Sequence, residues 1–100
     1  MIKIEVNYYN NQVNEIIING HSNYDVSGHD IVCASVSSIA ITTSNAILRL
    51  DNSALKYQES DGYLKIEFKK HDEYTDTLIL NMLDLLKELE LKYKKYINIK

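Results

Sequence analysis

The sequence predicts an α+β fold, in which a ββαββα chain forms an antiparallel sheet packed against two helices. Three observations support this prediction: alternating apolar residues near the N-terminus, an Asp-Gly pair between two later apolar runs, and two long segments with helical periodicity. The order of elements contains no short parallel crossover. The 100 residues are expected to make one domain, spanning 1–100.

The first half of the chain is predicted to be a hairpin followed by a helix. Residues 2–9 alternate apolar and polar side chains, as a half-buried strand does. Asn10 and Asn11 supply a turn, because asparagine tolerates a positive φ, and 13–18 forms the second strand. The three isoleucines at 16–18 predict that this strand is covered on both faces. After a polar loop, a helix is predicted to follow Asp30, its N-cap, and to run to about residue 50.

The second half repeats this plan. Two strands, 54–59 and 63–69, flank Ser60-Asp61-Gly62, in which Asp-Gly is a strong hairpin signal. From 72 to about 96, apolar residues recur at steps of three or four and predict a long amphipathic helix whose inner face carries Leu78, Met82, Leu85, Leu86, Leu89 and Tyr93. Ile97 and Ile99 predict a short terminal strand.

The composition of the chain indicates which partners and which cellular location we expect. The net charge of −3 argues against nucleic acid as a direct partner, because the late lysines are interspersed with Glu88 and Glu90. The stretch 31–50 is diluted by polar residues and is expected to be too polar to span a membrane. One cysteine cannot form an internal disulfide, and the N-terminus lacks the apolar run of a signal peptide. We therefore expect a cytoplasmic protein with no membrane partner.

The only cysteine, Cys33, is predicted to lie in the first turn of the first helix, downstream of His21 and His29. The helix dipole and unpaired amides there favour the thiolate, and an imidazole can accept the thiol proton. A buried structural cysteine is the common alternative. A zinc site made of the two histidines, Cys33 and a carboxylate lacks paired ligand spacing, so neither metal nor cofactor is expected. A redox-sensing thiol would lack a resolving cysteine, and a serine triad using Ser22 or Ser37 would lack a glycine elbow.

A specific motif surrounds this cysteine. Gly20-His21, followed by Gly28-x-Asp30-Ile31-Val32-Cys33-Ala34-x-Val36-Ser37, resembles the signature of the ribosomal-processing cysteine proteases, the Prp family. The resemblance extends over nearly the whole chain. It implies a bacterial cysteine endopeptidase that removes the N-terminal extension of a large-subunit ribosomal protein (number twenty-seven), cutting after an aromatic residue. It also implies a homodimer.

The resemblance assigns roles residue by residue. Cys33 matches the nucleophile and His21 the general base, whereas His29 stands at a variable position and is interpreted as a solvated loop residue. Asp30 matches a fixed position with two competing roles, orienting His21 or capping the helix, and its place before the helix favours the cap. For His71, the sequence suggests no partner.

The helix start also suggests how the reaction is supported. The backbone amides of Cys33 and Ala34 are expected to stabilise the oxyanion. The loop from Ser22 to Ser27 is predicted to be a lid, and the substrate to bind in extended form against a sheet edge. The alternative function is a non-enzymatic, dimeric ribosome-assembly module with an inert cysteine.

Overall fold

Five strands and two helices account for most of the chain. The computed structural model describes residues 1–20 and 29–100, with only the backbone of His29 and Asp30. The elements in chain order are β1 (Ile2–Tyr9), β2 (Gln12–Asn19), α1 (His29–Leu50), β3 (Leu55–Ser60), β4 (Tyr63–Phe68), α2 (Glu73–Lys92) and β5 (Ile97–Ile99). The strands form one sheet in the order β3-β4-β2-β1-β5. The predicted α+β architecture is confirmed.

Both predicted hairpins are present. Asn10 and Asn11 have φ values of 51° and 63°, the conformation that a tight turn between β1 and β2 requires. Gly62, with a φ of 71°, closes the β3–β4 turn, and Ser60 pairs with Tyr63 across it. Four strands pair in antiparallel fashion, as predicted. The exception is β5, which pairs parallel to β1, so the sheet is mixed rather than antiparallel throughout.

The core lies between one face of the sheet and the two helices. The strand residues that are almost fully buried all point to this face; they include Ile2, Ile4, Ile16, Ile18, Leu64, Ile66 and Phe68. The helices pack against each other over it. From α2 the buried side chains are Thr75, Ile79, Met82, Leu83 and Leu86, so the inner face is rotated from the predicted one and leaves Leu85 39% exposed.

Among the described residues, no helix or strand covers the other face of the sheet, which is polar. Lys65 lies between Glu15 and Glu67, with nitrogen–oxygen distances of 3.2 and 3.3 Å, and these carboxylates raise the pKa of Lys65. Ile17 is on this face, opposite Lys65 and Glu5, and is only partly buried. The prediction that β2 is covered on both faces is therefore wrong. Ile17 is an apolar residue within a polar face.

Helix α1 is more apolar than we expected. Residues Ile31–Leu50 have a mean hydropathy of 1.7, so this helix is long and apolar enough to cross a membrane by composition alone. The expectation that it is too polar is wrong in that sense. In the fold its buried residues recur at helical spacing, as in the core helix of a globular protein; they are Val32, Cys33, Val36, Ala40, Ser44 and Ile47.

The second helix ends earlier than predicted. Asp72 is its N-cap and accepts a hydrogen bond from the Thr75 amide, at 2.8 Å. Tyr93, with φ −128° and ψ 54°, ends the helix, although its amide still donates to the Leu89 carbonyl. The chain then turns over four residues, and the Tyr96 carbonyl accepts from the Ile2 amide at 2.7 Å. This turn is what allows β5 to reach β1.

Candidate active site

Cys33 is on the inner face of α1, where its side chain is 3% exposed and belongs to the hydrophobic core cluster. Its neighbours on this face are Val32 and Val36, both fully buried. The helix begins at His29, so Cys33 is its fifth residue rather than the third. The thiol is therefore in the second turn and deeper in the packing than the sequence predicted.

The position of the first residue of α1 affects two other predictions, the role of Asp30 and the role of the Cys33 and Ala34 amides. Asp30 is inside the first turn, not at the cap position that we expected, and its side chain is outside the described residues. In a regular helix that begins at His29, the amides of Cys33 and Ala34 bond to carbonyls four residues earlier. These amides reach an oxyanion only if the first turn opens. Their role remains a prediction with that added condition.

The residue before His21 has a tightly constrained backbone. Gly20 has a φ of +89°, and a Cβ on it would be only 2.5 Å from the Met1 carbonyl oxygen. Its amide donates to the Gly62 carbonyl at 2.9 Å. Only glycine satisfies the dihedral angle and the close approach together. This is a physical reason for the glycine in the Gly-His pair of the motif.

The topology brings Gly20 and the Cys33 half of α1 to one end of the domain. Ile39 of α1 shares a groove of about 560 Å³ with Leu85 and Leu89 of α2, whereas the end of α1 at Leu48 is beside Tyr74 at the start of α2. The helices are therefore antiparallel, and the Cys33 half of α1 is beside the end of α2. The turn after α2 meets the start of β1, next to Gly20.

His21 itself, His29's side chain and the predicted lid 22–27 are outside the described residues, so the distance from Cys33 to His21 stays a prediction. His71 has a partner that the sequence did not suggest: its Nδ1 is 2.8 Å from Asp76 at the start of α2, at the opposite end of the domain. Within residues 1–20 and 29–100, no group of three or more His, Cys, Asp or Glu side chains could hold a metal ion.

Comparisons with known proteins identify the family. The family model described as cysteine protease Prp matches residues 1–98. This chain belongs to the Prp family of cysteine proteases. Ribosomal processing cysteine protease Prp from Staphylococcus aureus is 28% identical over 91 residues, which are 88% of this chain and 86% of the relative.

Solved structures of Prp agree with this assignment. A crystal structure of an essential ribosomal processing protease Prp from S. aureus in complex with a substrate peptide has a TM-score of 0.91 and 25% identity, covering 100% of this chain and 98% of that one. A second, with a covalently linked product peptide, has a TM-score of 0.86 and 26% identity over the same shares. The protein is therefore a cysteine protease. The alternative function, a non-enzymatic ribosome-assembly module, is not the function of this family.

Two features near this end of the domain were missed by the sequence analysis. One is the groove between Ile39 and the α2 residues that follow Leu85. The other is the contact of Glu90, whose carboxylate accepts a hydrogen bond from the Ile99 amide of β5 at 2.7 Å. In the sequence, Glu90 is an acidic residue among lysines, a pattern that indicates only a solvated helix face. Its contact with β5 could not be predicted, because it depends on the parallel pairing of β5 with β1.

Proposed function

We propose that this Prp protein removes the N-terminal extension of a large-subunit ribosomal protein precursor, number twenty-seven, with Cys33 as nucleophile and His21 as general base. The observation that supports the proposal is that Gly20, the residue before His21, and the Cys33 half of α1 lie at the same end of the domain. The S. aureus relatives, described as ribosomal processing proteases with substrate and covalently linked product peptides, support the substrate class and a covalent step.

The reaction begins with proton transfer from the Cys33 thiol to His21. The thiolate attacks the scissile carbonyl, and His21 returns the proton to the leaving amine, which leaves a thioester on Cys33. His21 then activates a water molecule, which hydrolyses the thioester. Amides at the opened start of α1 receive the oxyanion, each worth about 3 kcal/mol of transition-state stabilisation.

Asp30 orients the His21 imidazole in this scheme. The helix begins one residue before Asp30, which removes the main reason for treating it as an N-cap. A carboxylate that holds the imidazole in one tautomer and stabilises its protonated form is the usual third member of such a site. Asp30→Asn then lowers kcat with little change in the free energy of unfolding.

The working form is a homodimer that acts in the cytoplasm. The outward residues of α1 are uncharged from Ile31 to Asn45, and Ile31 and Ile41 are 64% and 37% exposed. Such a surface favours burial against a second copy. Analytical ultracentrifugation tests this: Ile41→Glu gives a monomer, whereas Gln58→Glu, on the open face of the sheet, does not. A monomeric wild-type protein would contradict it.

The cleavage experiment is direct. The purified precursor is incubated with the wild-type protein, Cys33→Ser, His21→Ala or His29→Ala, and the products are measured by intact-mass spectrometry. Wild type and His29→Ala release the extension, whereas Cys33→Ser and His21→Ala do not. Cleavage by Cys33→Ser would disprove the nucleophile, and loss of activity in His29→Ala alone would move the base to His29.

A further inference from the structure

The sheet has two edges, β3 and β5, and an extended peptide can add to an edge only where the outward backbone groups are available. The two edges differ in this respect. Resting on the function proposed above, we propose that the substrate chain binds as an additional strand along the outer edge of β3, residues Leu55–Ser60.

The β5 edge is closed. Lys100, the residue after β5, forms two backbone hydrogen bonds with β1. Its amide donates to the Ile4 carbonyl at 2.9 Å, and its carbonyl accepts from the Val6 amide at 3.2 Å. The amides of Ile97 and Ile99 therefore point away from β1. Both are occupied, because Ile97 donates to the Tyr93 carbonyl at 3.2 Å and Ile99 donates to Glu90 at 2.7 Å. With three residues and no available outward donor, β5 offers little to an incoming strand.

The β3 edge is open. The Ala54 carbonyl accepts from Lys69, and the two-residue turn pairs Ser60 with Tyr63, so the even-numbered residues of this strand face β4. Leu55, Tyr57 and Glu59 then direct their backbone groups away from β4; Leu55 is only 6% exposed, so the accessible groups are those of Tyr57 and Glu59. Within the described ranges no hydrogen bond to these groups is found. They recur about every 7 Å, the two-residue repeat of an extended peptide.

The open edge of β3 ends near the candidate active site. Ser60 and Tyr63 flank the turn that contains Gly62, whose carbonyl holds the Gly20 amide before His21. The Cys33 half of α1 is at the same end of the domain. A peptide paired along β3 is therefore guided toward the thiol, and its binding depends on main-chain rather than side-chain chemistry. The accessible part of this edge, from Tyr57 to Ser60, spans about 13 Å, enough for the outward backbone groups of Tyr57 and Glu59 to pair with a peptide.

A methyl scan of the substrate backbone tests this. Each synthetic peptide spans the cleavage site and carries one N-methylated amide. The methylated positions are on the side of the scissile bond that is proposed to pair with β3. Methylation of alternate amides lowers kcat/KM about tenfold, since losing about 1.4 kcal/mol of binding is a factor of ten. Methylation of the intervening amides changes it by less than about twofold. A scan without this alternation would overturn the proposal.

A matched pair of variants tests the same edge from the enzyme side. Glu59→Pro removes one outward amide while a proline remains acceptable at a strand edge, and Glu59→Ala removes only the exposed side chain. Glu59→Pro raises KM about tenfold relative to Glu59→Ala, with both melting near the wild-type temperature. Equal KM values in two folded variants would refute the β3 edge. If the unmodified peptide is not cleaved, the proposed function itself fails, which distinguishes the two outcomes.

Discussion

The amide of Gly20 donates a hydrogen bond to the carbonyl of Gly62 at 2.9 Å, and this contact ties the end of β2 to the β3–β4 turn. The residue before the proposed general base is therefore anchored by a neighbouring hairpin. Because Gly20 also has a φ of +89° and adjoins the Met1 carbonyl, it has no room for a side chain.

Gly20→Ala is expected to lower both stability and activity. The Cβ must displace the Met1 carbonyl, and the positive φ adds strain of about 1–3 kcal/mol. We expect chemical denaturation to show this loss, and kcat to fall further than the unfolded fraction explains, because His21 is shifted. Asn11→Ala is the control, since it places an alanine at a φ of 63° in the β1–β2 turn, at the opposite end of that hairpin from Gly20. Wild-type kcat in Gly20→Ala would contradict the anchoring role.

Ser44→Ala is expected to stabilise the protein. The Ser44 hydroxyl is buried on the inner face of α1 and is the one side-chain polar atom in the described residues that is buried without a hydrogen-bond partner. Removing it relieves a desolvation cost of about 1–3 kcal/mol and improves helix propensity. The measurement is the free energy of unfolding in urea, with Ser35→Ala as the control, because that exposed hydroxyl bonds to the Ile31 carbonyl. A less stable Ser44→Ala protein would refute the assignment.

Asp51 is expected to contribute an acid-dependent part of the stability. The hydrogen bond from the Ser53 hydroxyl, at 2.7 Å, and the contact with Lys70, at 2.9 Å, lower the pKa of Asp51 from 3.8 to about 2. A lowered carboxyl pKa stabilises the fold above pH 3.8, and this contribution is lost as the pH falls toward about 2. Urea titrations over this range should show a smaller drop in the free energy of unfolding for Asp51→Asn than for wild type.

The two partners of Asp51 make separate contributions. Ser53→Ala and Lys70→Met should each raise the pKa of Asp51, because each removes a hydrogen bond that lowers it. NMR titration of the Asp51 carboxyl carbon measures this directly. An unchanged Asp51 pKa in either variant would show that the contact removed there does not stabilise the carboxylate.

Glu90→Ala is expected to release β5 from α2. The Ile99 amide loses its acceptor, and a hydrogen bond to a charged group contributes about 1.5–3 kcal/mol. Hydrogen exchange at Ile99 should accelerate, while exchange in the β3–β4 hairpin stays unchanged. Glu88→Ala, an exposed residue on the same helix, is the control. Unchanged protection of Ile99 in Glu90→Ala would contradict the closed edge.

Local signals in the sequence predicted most of the fold. The alternation from Ile2 onward, the Asn10-Asn11 turn and the Asp61-Gly62 turn each determine geometry through neighbouring residues, and the structure confirms all three. The Cys33 motif identified the family through resemblance, which the comparison over residues 1–98 confirms.

Features that depend on distant partners were predicted less well. The parallel pairing of β5 depends on where α2 ends, and nothing local to Tyr93 indicated that the helix stops there. Ile17 looked like a core residue because the sequence does not show which face of a sheet the helices cover. The start of α1 at His29 puts Asp30 inside the first turn, since the sequence does not determine the first residue of a helix to within one or two positions.

The reactivity of Cys33 in the folded protein tests the central claim most directly. Iodoacetamide modification at neutral pH is followed by intact mass for the wild type and His21→Ala, beside an unstructured peptide that contains one cysteine. We predict that folded wild-type protein reacts faster than the peptide and that His21→Ala reacts more slowly than wild type, although Cys33 is only 3% exposed. Modification of Cys33 only at the rate of global unfolding, and equally in both proteins, would contradict the account.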